Sequence, residues 1–280
     1  MRILWCLLVV SCLPAESVAV PPITALAFAP DARYVVAGSQ EGIRVFSWPD
    51  ARPSFAFETD LDYVHALRFS PDGGQLAAGG GRSGEFGEIE IFDWATRRRI
   101  ASSVEHQDVV YGLSWISRTQ LASASADTTV TAWLLEDGEL VRSHTYRGHS
   151  RRVRSTVYLD REELLVSASV DQSIRVWRGD RPELVRILDN HTDVVHDLAW
   201  SGSENGNYVA SCSRDRTVRI WQPKIGRLVR FVRLPQEPLA IAWSHSANVV
   251  AAACVDGAVR LIDPKRVQII RTERLAQSWI

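Results

Sequence analysis

An all-β repeat architecture, a radial array of short four-stranded sheets, is the fold class this sequence predicts, and three observations predict it. An apolar-alternating tetrapeptide returns along the chain as Ile43-Arg-Val-Phe46, Ile89-Glu-Ile-Phe92, Val130-Thr-Ala-Trp133, Ile174-Arg-Val-Trp177, Val218-Arg-Ile-Trp221 and Val259-Arg-Leu-Ile262. Counted between last residues, the steps are 46, 41, 44, 44 and 41, and a supersecondary unit repeated at such a period means a stacked or radial array. Each unit also breaks into four short runs fenced by Gly, Asn, Asp or Pro, and no segment sustains helical periodicity.

The fifth unit shows the order of elements. Val194-Val-His-Asp-Leu-Ala-Trp200, Tyr208-Val-Ala-Ser-Cys-Ser213, Val218-Arg-Ile-Trp221 and Arg227-Leu-Val-Arg-Phe-Val232 are each rich in valine, isoleucine and aromatics, the composition of strands. In the third run the period-2 pattern puts Ile174 and Val176, or Val218 and Ile220, together on one face. Six units align, starting near Ile23, Asp62, Asp108, Arg152, Val194 and Pro238, and a seven-unit ring stays open as an alternative. Packed radially, neighbouring sheets bury both faces of each one. With 280 residues, 46% of them apolar, the chain is long enough for such an array to form one domain over residues 20–280.

Residues 1–19 read differently. Arg2, the uncharged run Ile3–Val10 and the small-residue stretch ending Ser17-Val18-Ala19 follow the order of a secretory leader. The apolar run falls short of the roughly 20 residues that span a bilayer, so no transmembrane span is expected. The competing reading is a strand that closes the ring. A cleaved leader implies an exported protein, periplasmic or extracellular; an intact one leaves a cytoplasmic scaffold as the alternative. Cleavage after Ala19 would remove Cys6 and Cys12 and leave Cys212 and Cys254, neither in a metal or redox spacing, as small buried hydrophobes. No cofactor or metal is called for.

A net charge of −1 argues against nucleic acid as partner, since phosphate-backbone binding draws on clustered positive charge. Lys224 and Lys265 are the two lysines, so the cations are almost all arginines, fork-shaped donors suited to carboxylates. An insertion in the second unit, Gly79-Gly-Gly-Arg-Ser-Gly-Glu-Phe-Gly87, contains a G-x-G-x-x-G match, but it leads into a strand and not the helix that a pyrophosphate cradle needs. A flexible turn is the expected reading there. Arg97-Arg-Arg99 reads as a solvated turn.

Gly148-His149 followed by Ser167-Ala-Ser-Val-Asp-Gln-Ser-Ile-Arg-Val-Trp177, with close copies in the units on either side, resembles the WD-repeat β-propeller family over Ile23 to about Thr272. The resemblance implies a buried hydrogen-bond chain within a blade, from Trp to Ser to His to Asp. Three units hold the parts: His106, Ser123, Asp127 and Trp133; His149, Ser167, Asp171 and Trp177; His191, Ser211, Asp215 and Trp221. In the first, second and last units Gln40, Phe86 and Ala252 replace a member, and those blades are expected to rely on packing alone.

Ser, His and Asp together also invite an acyl-transfer reading. A catalytic centre has no reason to be triplicated at blade periodicity, whereas a network satisfying buried polar groups does. No catalytic residue is therefore assigned. By the family geometry, His65, Tyr111, Arg154 and His196, with Arg152 and Arg214 nearby, converge on the channel mouth, and aromatic and arginine residues are the types that anchor interfaces. The expected function is a non-enzymatic scaffold whose rim binds a protein or peptide of acidic character. The alternative is an exported hydrolase or lyase using a metal in the channel, for which Asp197 is the one plausible inward carboxylate, against the several oxygens a hard cation takes.

Overall fold

The structure, a computed structural model, describes residues 22–244 and 248–275. The leader and closing-strand readings of the first residues, with Cys6 and Cys12, lie outside the described residues. Six antiparallel sheets of four strands follow one another along the chain, each sheet made of consecutive strands. Their inner strands are Ala25–Phe28, Val64–Phe69, Val110–Trp115, Val153–Leu159, Val195–Trp200 and Pro238–Ser244. The outer strands are Pro53–Phe57, Arg99–His106, Glu139–Tyr146, Leu184–Leu188, Arg227–Arg233 and Gln268–Arg274. The molecule is a six-bladed β-propeller, and the last blade takes all four strands from residues 238–274. Among the described residues no helix is long and apolar enough to cross a membrane.

Register explains which side chains share a face. In the third blade Trp115, Leu121 and Trp133 are direct cross-strand partners, and Leu113, Ser123 and Thr131 form the adjacent row, so one face carries the large residues and the other carries Ala122, Ala124 and Ala132. The large face packs on the second blade, where Ala77, Ile89 and Ile91 meet it, and the alanine face packs on the fourth, where Leu165 and Trp177 meet it. That scheme repeats: five apolar cores join blades one to two, two to three, three to four, four to five and five to six. None of them joins blade six to blade one among the described residues. The inner strands agree, each of the first five packing on the next while no comparable contact joins Pro238–Ser244 to Ala25–Phe28. Between those two blades lies a seam.

The glycine-rich insertion is not a flexible turn. Gly79, Gly80 and Gly81 belong to the strand Gln75–Arg82, Gly87 belongs to Phe86–Asp93, and only residues 83–85 turn between them. A Cβ on Gly80 would stand 1.7 Å from the Tyr63 carbonyl oxygen, so glycine permits backbone from the neighbouring loop to approach the strand. Arg82 closes the hairpin end through Asp62 at 2.8 Å and Glu85 at 3.1 Å.

Candidate functional site

Three blades contain the same buried chain of donors and acceptors. The Trp133 indole lies 2.7 Å from Ser123 Oγ, Ser123 lies 2.7 Å from His106 Nε2, and His106 Nδ1 lies 2.7 Å from Asp127. The corresponding distances are 2.9, 2.8 and 2.8 Å for Trp177, Ser167, His149 and Asp171, and 2.7 Å throughout for Trp221, Ser211, His191 and Asp215. A carboxylate only accepts, so the imidazole proton sits on Nδ1, and Nε2 then accepts from the serine hydroxyl while serine accepts from the indole. Each aspartate also holds its turn, taking N–H groups from Gln107 and Thr129, from Ser150 and Ser173, or from Thr192 and Thr217.

Electrostatics agree with a structural role. Burial alone would push the Asp127 carboxyl up, but the His106 hydrogen bond and attraction, with the Thr129 contacts, outweigh it and hold it at about 2. Asp171 and Asp215 are pulled down in the same way by His149 and His191. Burial holds the His149 and His191 imidazoles below the usual histidine range, with their aspartates offsetting part of that. Ser123, Ser167 and Ser211 are 0% exposed, and a nucleophile must reach a substrate.

Two of the remaining blades hold polar clusters of their own, contrary to the expectation of packing alone. In the second blade the buried Glu90 carboxylate takes the Thr59 hydroxyl, the Asp60 N–H and the Arg99 guanidinium, and Arg99 also reaches Asp60 at 2.5 Å. In the sixth, Arg260 grips Asp256 with two nitrogens at 3.0 and 2.6 Å. Both replacements sit at the residue two before the end of the recurring tetrapeptide, where Glu90 is the single acid among the six units. That signal was present in the sequence. Glu237, which binds His196, carried none.

The rim residues fall into two groups. His65, Tyr111, Arg154 and His196 occupy one position in four successive inner strands, each just after a valine that is 0% exposed: Val64, Val110, Val153 and Val195. All four line a central cavity of about 810 Å³. Tyr63 stacks on His65, His65 meets Tyr111 with ring centroids 5.1 Å apart, and the Arg154 guanidinium lies 5.0 Å from the Tyr111 ring centre. Burial and then Arg154 hold the His65 imidazole below its usual range. His196 Nε2 pairs with Glu237 at 2.8 Å while its Nδ1 is buried without a partner among the described residues. Arg152 and Arg214 sit on exposed loops and do not line the cavity, although Arg214 adds with Arg154 to the positive potential at His196.

Asp197 faces the cavity but its oxygens are engaged: Oδ1 accepts from the Ser155 hydroxyl and from the Leu198 N–H, both at 2.8 Å, and Oδ2 accepts from the Ile241 N–H at 3.1 Å. It braces three blades. Arg97 lies in a turn with its guanidinium 4.0 Å from the Phe55 ring centre.

Comparison with known proteins bears on the same residues. The family described as WD domain, G-beta repeat matches residues 10–47, 140–178 and 182–222. Apoptotic protease-activating factor 1 of Rattus norvegicus is 26% identical over 63% of this chain and 14% of its own length. Nuclear distribution protein nudF 1 of Talaromyces marneffei is 30% identical over 54% of this chain and 33% of its own. Actin-interacting protein 1 of Drosophila melanogaster is 26% identical over 63% and 29%. The chain thus spans a third or less of the length of these relatives.

Proposed function

The chain belongs to the WD-repeat β-propeller family, and from that premise we propose that it is a non-catalytic scaffold whose rim holds a protein or peptide of acidic character. One observation carries this reading. Arg154 lines the central cavity with its guanidinium 5.0 Å from the Tyr111 ring centre and, like Arg152 and Arg214, forms no ion pair with a carboxylate among the described residues. Arginine at a mouth flanked by tyrosine is an anchor type in protein interfaces, and its planar fork fits a carboxylate with two donors. One relative is named for interacting with actin, itself a protein, which favours a protein as the class of partner and leaves its identity to experiment.

The mechanism is presentation. A rigid radial core, pinned in three blades by buried networks, holds loops at fixed separations, so binding loses little conformational entropy at the scaffold. The test compares the native protein with the triple variant Arg152→Ala, Arg154→Ala, Arg214→Ala for binding a labelled glutamate-rich peptide at low salt. The expected loss is about tenfold or more, with a salt dependence that disappears in the variant. Unchanged binding removes this surface from consideration.

Export is a separate part of the proposal. Cleavage after Ala19 gives a mature chain starting at Val20. The first family match reaches back to residue 10, so retention and cleavage make opposite forecasts, and N-terminal sequencing of the mature protein separates them.

A further inference from the structure

The seam between the first and sixth blades is built from the same parts as the five closed contacts, with no cover among the described residues. At a closed contact, the face of one blade bearing its large residues meets the aliphatic face of the blade before it, and Leu113 and Trp115 end 2% and 8% exposed. Their counterparts on the first blade, Leu26 and Phe28, are 58% and 55% exposed, with Phe28 edge-on to Trp48 at 5.2 Å. On the facing wall Ala240 and Ala242 are exposed and Ala251 and Ala253 half-buried, where Ala122 and Ala124 of the third blade are fully covered. The central cavity runs into this seam: Leu26, Ala251 and Ala253 line it together with Tyr111 and Arg154. One cavity therefore has a cationic end and an apolar end.

We propose that channel mouth and seam form a single receptor for an extended segment of a partner protein, in which an acidic residue meets Arg154 and neighbouring apolar side chains fill the space between Leu26 and the alanine wall. This rests on the rim reading above and adds the chemistry of the partner. Charge complementarity selects the acidic end, because Arg154 is a cation without a carboxylate partner among the described residues. Two walls of sheet side chains select the apolar end, since what leaves water there is hydrocarbon on both sides. Bulky apolar side chains fit best toward the alanines, as Leu165 and Trp177 do toward Ala122 and Ala124 in the closed contact between blades three and four.

The probes are three labelled peptides: glutamate-rich, apolar, and the two joined in one extended chain. Fluorescence anisotropy is expected to show the joined peptide binding the full chain at least about tenfold tighter than the glutamate-rich one, since the second contact becomes intramolecular. Ala251→Trp with Ala253→Phe, which fills the seam, should cancel that gain and leave the glutamate-rich peptide unchanged. Leu26→Ser, at an exposed position, provides a second variant with no added bulk and should reduce the gain. If the glutamate-rich peptide fails to bind, the rim reading falls and this proposal with it. If it binds and the joined peptide is no tighter, or the filled seam keeps the gain, this proposal alone is overturned. It is equally overturned if the gain emerges only once residues 1–19 are removed, which assigns the seam to the chain's own N-terminal segment. A free dimer that dissociates on filling the seam overturns it too, assigning the seam to a second copy.

Discussion

Trp115 and Phe28 end the inner strands of their blades at the same register position, yet one is 8% exposed and the other 55%. Both strands pair with their neighbours in the same way, so the difference does not arise within the blade. It arises from what stands opposite. Trp115 lies against the second blade and donates its indole N–H to the Arg68 carbonyl at 3.1 Å, while Phe28 faces a seam. A blade is thus specified by its own four strands, and the closure of the ring is a separate event that the local pattern of each repeat does not control. Substitutions at matched positions in the closed and open regions test this directly.

The largest effect is expected at Trp177, which is 1% exposed and packs with Leu165 and Ala122 where blades three and four meet. Trp177→Ala removes that area and leaves the Ser167 hydroxyl without its donor, and should cost about 4 kcal/mol. The midpoint of urea unfolding reads it. A cost below about 1 kcal/mol would mean that the closed contacts are no firmer than the seam.

Next in size is the loss of a network member. Ser211→Ala strands two buried partners, the Trp221 indole and His191 Nε2, and should cost about 2 to 3 kcal/mol by thermal unfolding. Ala252 already stands at the corresponding position of the sixth blade, where Ile262 of the neighbouring strand occupies the place of the aromatic residue. Ala252→Ser should therefore give no matching gain, because no indole or imidazole is there to receive it.

Acidification probes the same networks through their charges. The Asp127 carboxyl is held at about 2 in the fold against an ordinary 3.8, so its contribution is complete above about pH 4 and is lost as pH falls toward 2. That contribution is about 2 kcal/mol. His149 and His191 lie below their usual 6.5, so below that pH the unfolded chain takes up protons that the fold resists, and stability begins to fall there as well. Both signs agree. Melting temperature should decline in steps from about pH 6.5 downward, and His149→Gln should flatten the first step; a melting temperature independent of pH down to about 4 would contradict the assignment.

Much of this was legible in the residues. The tetrapeptide spacing located the third strands, and runs such as Val194–Trp200 and Tyr208–Ser213 located the first and second, because alternation and β-branched content are local properties that survive without knowledge of the partner sheet. The His, Ser, Asp and Trp quartets were legible because they recur in register. Less visible was what depends on contacts between blades. Glu237 meets His196 from the next blade, across 41 residues of sequence, and nothing near Glu237 marks it. The glycines of the second blade read as a turn because their composition is that of turns, whereas the carbonyls of Tyr63 and Asp108 are what demand them. The seam was invisible for the same reason, since Leu26 and Phe28 alternate as buried residues do.

The smallest effect is expected at Phe28 itself. It retains its edge contact with Trp48 but has little else to lose, so Phe28→Ala should cost less than about 1 kcal/mol in the free protein. The comparison sharpens when something covers the seam. Burial of Phe28 would bring its apolar surface out of water, and the same substitution should then cost as much as truncating a core aromatic, about 3 kcal/mol. Urea unfolding of native protein and Phe28→Ala, each with and without the joined acidic and apolar peptide at saturation, reads both quantities in one set of curves. A small cost that stays small with the peptide bound would show that the outer part of the wall, at Phe28, is not contacted, and would confine any binding to the inner part near Leu26.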